Sequence, residues 1–214
     1  MSTMKTRTVI FSVLLLALLS GCVVKSIHPF YKEGDVVYDG SLLGTWTDDD
    51  STRWVISPYT FSKGFMKGDS TDNSYLFELY EDTLDAQRFN VHLFRLDGRM
   101  YLDFKPLPGD SQDDFLHMHM IPAHSLALAE KGQDGRWTIG WFNEEWLGKL
   151  FNENRVKISH EVVEAGAGEY GDQYILTAST GELQGFIRKY AIPGDAGLCV
   201  DEENFLCVTL TKND

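Results

Sequence analysis

The stretch Phe89-Asn90-Val91-His92-Leu93-Phe94-Arg95-Leu96-Asp97-Gly98-Arg99-Met100-Tyr101-Leu102-Asp103-Phe104 reads as two strands and the turn between them. Phe89, Val91 and Leu93 share one face, and Met100, Leu102 and Phe104 repeat the period-two pattern of a half-buried strand. Asp97-Gly98 supplies the two residues of positive φ that a tight hairpin needs at its centre. Working outward, Tyr75, Phe77 and Leu79 alternate in the same way, and a short strand is expected over 54–57. A second Asp-Gly, Asp134-Gly135, links a strand near Leu126 to one carrying Trp137, Ile139 and Trp141. Further strands are expected over 158–163, 173–177 and 205–211, with 165–171 as a Gly-rich hairpin loop. Successive hairpins at this spacing predict a mainly β fold, an antiparallel up-and-down barrel or strongly curved meander. Closing the barrel would remove exposed sheet edges.

Two amphipathic helices interrupt the strands. Asn143 can cap a helix whose first turn holds Glu144 and Glu145, with Trp146, Leu147, Leu150 and Phe151 as its apolar stripe. Ser179 and Glu182 have the spacing of a capping box, followed by Leu183, Phe186, Ile187 and Tyr190 at helical intervals. Arg188 and Lys189 suit the last turn, and Pro193 ends the pattern.

The chain opens with Lys5 and Arg7, an apolar run over 9–19, and Leu19-Ser20-Gly21-Cys22, the three-part build of a secretory signal peptide. Eleven residues are too few for a spanning helix, which needs about 20. The four-residue ending resembles the lipobox of bacterial lipoproteins. That resemblance implies cleavage before Cys22, lipid on its sulfur, and a mature protein tethered to a membrane. Val23 in place of the aspartate that favours inner-membrane retention implies an outer-membrane address. The expected organisation is a removed signal over 1–21, a lipid-anchored leader over 22–39 whose second half lies against the barrel, and one domain over 40–214.

Removing residues 1–21 takes the formal charge from −13 to −15. Such a surface argues against nucleic acid or anionic lipid as a partner, since both need a basic patch. With Cys22 lipidated, Cys199 and Cys207 remain as a pair in an oxidising compartment and are expected to bridge, two reduced thiols in neighbouring strands being the alternative.

Ser41-Leu42-Leu43-Gly44-Thr45-Trp46 resembles the opening of the lipocalin and calycin barrels, whose first strand carries Gly-x-Trp after a short helical turn. The resemblance implies that Trp46 plugs the closed end of the barrel. It also implies an arginine on the last strand over that tryptophan; Arg188 falls instead in the second helix. The order of segments is further similar to a group of bacterial lipoproteins of unassigned activity, on His28-Pro29-Phe30, the strand over 42–46, Ile121-Pro122-Ala123-His124 and Ser179-Thr180 with Glu182, Leu183 and Gln184.

His117, His119 and His124 are the candidate metal ligands, because residues two apart in a strand share a face. Leu116, Met118 and Met120 would occupy the other face, and a core strand with hydrogen-bonded histidines explains the stretch without metal; none is expected. No Gly-x-Ser-x-Gly elbow, phosphate-cradling loop or His-Glu-x-x-His pattern occurs. Asp103, Asp110, Asp113, Asp114 and the run Asp48-Asp49-Asp50 read as turn and loop acids. The expectation is a non-enzymatic envelope lipoprotein without cofactor, binding a small apolar ligand in its barrel. Gly44, Trp46, Trp54, Trp137 and Trp141 would form the floor and walls. The alternatives are a structural or assembly lipoprotein working through protein contacts, for example around Trp146, and a metal-binding envelope protein.

Overall fold

The structure is a computed structural model, described over residues 23–62, 69–70, 73–81, 86–107, 119–163, 173–191, 199 and 205–213. The strands are β1 (Lys25–Ser26), β2 (Gly44–Thr47), β3 (Arg53–Pro58), β4 (Phe61–Ser62), β5 (Asp69–Ser70), β6 (Tyr75–Tyr80), β7 (Gln87–Leu96), β8 (Arg99–Pro106), β9 (His124–Lys131), β10 (Trp137–Phe142), β11 (His160–Val163), β12 (Gln173–Leu176) and β13 (Phe205–Lys212). The helices are α1 (Glu144–Asn152) and α2 (Thr180–Tyr190). Among the described residues β4 and β5 pair only with each other.

Eight strands close an antiparallel barrel in the order β2-β3-β6-β7-β8-β9-β10-β13, and β13 pairs back onto β2. The first seven follow one another in chain order, with the β4–β5 pair inserted between β3 and β6; α1, β11, β12 and α2 intervene before β13 closes the ring. At the β7–β8 hairpin Asp97 has φ 49° and Gly98 φ 82°, the left-handed pair expected of a two-residue turn. Period two then sorts the side chains. Trp54 and Ile56, Tyr75 and Phe77, Val91 and Leu93, Leu102 and Phe104, and Trp137 and Ile139 pack together as the barrel interior. Ala127 and Ala129 on β9 lie opposite Trp141 and Ile139 on β10, so small residues make room for large ones.

A second core lies outside the barrel. Phe94, Tyr101, Leu126 and Leu128, on the outer faces of β7, β8 and β9, are covered by α1, α2 and the leader. Asn143 caps α1 by accepting the Glu145 N–H at 2.7 Å, a contact worth about 1 kcal/mol. The capping box of Ser179 and Glu182 forms as spaced. The Trp146 stripe is not an outward patch: Leu147 and Leu150 are buried, and Trp146 packs on Phe142 and Phe186.

The leader departs from expectation along its first half. Val23 bridges Asn143, the Val24 N–H donates to the Phe142 carbonyl at 2.9 Å, and β1 pairs with both β9 and β12. β9 is the reason: its residues 127–131 pair with β10, whereas His124 and Ser125 pair with β1. The seam left where β9 and β10 part is filled by the leader itself. No helix among the described residues is long and apolar enough to cross a membrane.

Candidate functional site

One end of the barrel is sealed by the residues that carry the Gly-x-Trp resemblance. Trp46 is buried, and its indole N–H donates to the Leu42 carbonyl at 2.8 Å. Across β13 the register sets Lys212 opposite Trp46, and the Lys212 ammonium lies 5.2 Å from the centre of that ring. The cation expected as an arginine on the last strand is therefore a lysine; Arg188, in α2, meets Asp97 at 3.3 Å. Gly44 has φ 133°, and a Cβ there would lie 2.9 Å from Cε of Lys212, so the glycine lets the lysine cross β2 to reach the tryptophan.

The lid over this end is a 3-10 turn, Gly40–Leu42, capped by Asp39, which accepts the Ser41 N–H at 2.8 Å. The Asp39 N–H donates to the Tyr75 hydroxyl at 2.7 Å, and Lys131 donates to Ser41 Oγ at 2.7 Å. Burial works against the Asp39 carboxylate, but the Ser41 hydrogen bonds and the Lys131 ammonium outweigh it and hold the carboxyl below its usual range. Burial pushes the Tyr75 phenol up to about 12, so it stays a neutral donor and acceptor beneath the lid.

The opposite end is different. There β7, β9 and β13 begin and β8 and β10 finish, and the inward side chains are only half-buried: Leu79, Phe89, Trp141 and Val208. They surround a chain of rings. Phe104 lies 4.9 Å from Trp141, 5.9 Å from Phe89 and 5.3 Å from Phe77, and Trp141 lies 6.2 Å from Trp54. Asp48 organises the turn from β2 to β3 by accepting from Asp50 and Thr52, and its second oxygen takes the Trp54 indole N–H at 2.9 Å. Of the expected wall residues, Trp46 and Trp137 thus belong to the sealed interior, whereas Trp54 and Trp141 reach the mouth. Among the described residues the buried Trp137 indole N–H meets no acceptor.

The structure describes two of the three candidate histidines. His117 lies outside the described residues, as do Asp110, Asp113 and Asp114; His119 sits exposed in a turn, not a strand. Met120 is 58% exposed instead of packed on an apolar face. His124, first residue of β9, is buried with Nδ1 2.6 Å from Asp103. Among the described residues no cluster of three or more His, Cys, Asp or Glu has a metal-binding arrangement. Asp103 is fully buried, and its other oxygen accepts the Phe30 N–H at 2.8 Å. Thr180 donates to the Pro29 carbonyl at 2.8 Å, and Gln184 donates to the Phe30 carbonyl at 3.3 Å and to Asp35 at 2.6 Å. The segments that carry the lipoprotein resemblance therefore converge on a clamp for the leader. Asp103 is thus a strand residue and not a loop acid; its position within an otherwise apolar strand, opposite His92, is the signal in the sequence.

Cys199 and Cys207 form a disulfide with Cα atoms 5.7 Å apart. Cys22 lies outside the described residues. Compared with protein-family models, with curated proteins and with solved structures, the chain matches none.

Proposed function

We propose that this protein is a cell-envelope lipoprotein, acylated at Cys22, that holds a small apolar ligand at the open end of its barrel without transforming it. The supporting observation is the asymmetry of the interior. Trp46, Tyr75, Trp137 and Leu210 towards the sealed end are buried, with Met100 half-buried beside them, whereas Leu79, Phe89, Trp141 and Val208 are all half-buried around Trp54 and Phe104. Half-exposed rings at the end of a closed barrel are where an apolar molecule removes the most surface from water. The signal-like start, the disulfide and the pinned leader are consistent with an anchored protein outside the cytoplasm.

The test is a fluorescence titration of the mature protein with N-phenyl-1-naphthylamine. Saturable binding is expected, weakened roughly tenfold or more by Trp141→Ala, since removing a large apolar wall forfeits about 1.5–3 kcal/mol. Absent binding, or binding unchanged by that substitution and by Phe89→Ala, refutes the mouth as a ligand site. Labelled palmitate addresses the anchor separately: incorporation should depend on Cys22, and label surviving Cys22→Ala refutes it.

A further inference from the structure

Outside the barrel, the segment from Asn154 to Ser159 and the outer face of α2 enclose an open cleft of about 770 Å³. Its apolar surface comes from Val156 and Phe186, both buried, and from the half-buried Ile158 and Tyr190. The volume lies within the range of small-molecule sites.

The charge of this cleft is opposite to that of the chain. Arg155, Lys157 and Lys189 line it, against one acid, Glu182, in a protein of formal charge −13. Glu182 is committed elsewhere. It accepts from the Ser179 hydroxyl at 2.7 Å and the Ser179 N–H at 3.0 Å, and these bonds hold its carboxyl below the usual range. Glu182 and Lys189 are seven residues apart on α2, roughly 10 Å along its axis at 1.5 Å per residue. The Tyr190 hydroxyl donates to the Arg155 carbonyl, which fixes Arg155 at the Lys189 end. Arg155 also meets Glu153 at 3.2 Å, an exposed pair of the kind that contributes little. Among the described residues neither Lys157 nor Lys189 has a carboxylate partner; Lys189 lies 4.9 Å from the Tyr190 ring. Glu182 thus marks one end of the cleft and Lys189 with Arg155 the other, and Lys157 falls midway along the facing segment, whose Ser159 carbonyl accepts the Thr177 N–H near the Glu182 end.

We propose that this cleft is a second binding site, separate from the barrel mouth, for a small amphiphilic acid. The ligand's carboxylate is placed between Lys157, Lys189 and Arg155, and its hydrocarbon part lies on Phe186 and Val156. An apolar body needs the floor, and an anionic head needs the basic end, so neither a neutral chain nor a bare ion uses both.

The probe is octanoate, titrated calorimetrically into the mature protein. Single-class binding that weakens with added salt is expected. Reversal of both lysines, Lys157→Glu with Lys189→Glu, should weaken it by at least on the order of tenfold, as opposite charges about 5 Å apart in water become like ones. Octanol should bind more weakly and be indifferent to the reversal. Trp141→Ala should leave octanoate binding unchanged while weakening N-phenyl-1-naphthylamine, so the two sites fail independently. Octanoate binding that survives the double reversal overturns the proposal. So does equal loss of octanol and octanoate, or loss in Trp141→Ala instead of the lysine variant. Near-UV circular dichroism of the double variant, expected to match the parent, separates lost charge from a lost fold.

Discussion

Replacing Gly44 by alanine should cost about 2–4 kcal/mol of folding free energy, although it adds one methyl group at a surface strand. Two terms contribute. A φ of 133° lies in territory essentially restricted to glycine, at a cost of about 1–3 kcal/mol for any other residue. The new Cβ would stand 2.9 Å from Cε of Lys212, so that side chain must retreat from Trp46, forfeiting a cation–π contact worth about 0.5–2 kcal/mol. Against a typical stability of about 5–15 kcal/mol this is a large fraction. Urea denaturation of parent and variant at equal slope measures it. A double-mutant cycle locates the cause: once Lys212→Ala has removed the obstructing side chain, Gly44→Ala should retain only its backbone cost, leaving a coupling of about 0.5–2 kcal/mol. A Gly44→Ala cost below about 1 kcal/mol would refute the account of the sealed end. A cycle that adds without coupling would assign the whole cost to the backbone.

Two further outcomes follow from buried polar groups. Asp103→Ala leaves His124 and the Phe30 N–H unpaired and should destabilise by roughly 2–5 kcal/mol, with faster tryptic cleavage after the exposed Lys32; an unaltered cleavage rate would contradict the clamp. Burial pushes Tyr75 and Tyr101 up to about 12, so an unfolded chain surrenders those protons first, near pH 10. Stability from these groups is therefore intact below pH 10 and falls as pH rises from 10 through about 12. Tyr101→Phe should make that fall shallower by about one proton, measured by denaturation at several alkaline pH values; an unchanged slope would count against the burial of its phenol.

The barrel was legible because its signals are local. Alternation at Phe89, Val91 and Leu93, a turn at Asp97-Gly98 and the caps at Asn143 and Ser179 each depend on a few neighbouring residues, and all formed as spaced. What escaped depends on residues far apart in the chain. Lys212 replaces the expected arginine through a cross-strand register that only closure of β13 onto β2 creates. β1 is two residues long and exists because β9 and β10 part company, which no periodicity in Lys25–Ser26 announces. The histidine stretch misled for a related reason: period-two spacing assumes a strand, and His119 lies in a turn before β9 begins. The basic cleft joins a loop to a helix and carries no motif at all.

The stitched leader has a consequence for motion. Val23 is already bound to Asn143 where β10 finishes, and consecutive Cα atoms are about 3.8 Å apart, so an acyl group on Cys22 would be held within one residue of the barrel rim. A domain anchored that way would slide over the bilayer with little freedom to tumble. Met120 and Ile121, 58% and 78% exposed, stand just before β9 at that same rim, like the keel of a hull. The search for a ligand would then run in two dimensions, and an apolar molecule leaving the bilayer for the mouth would exchange one oily surface for another with little water between.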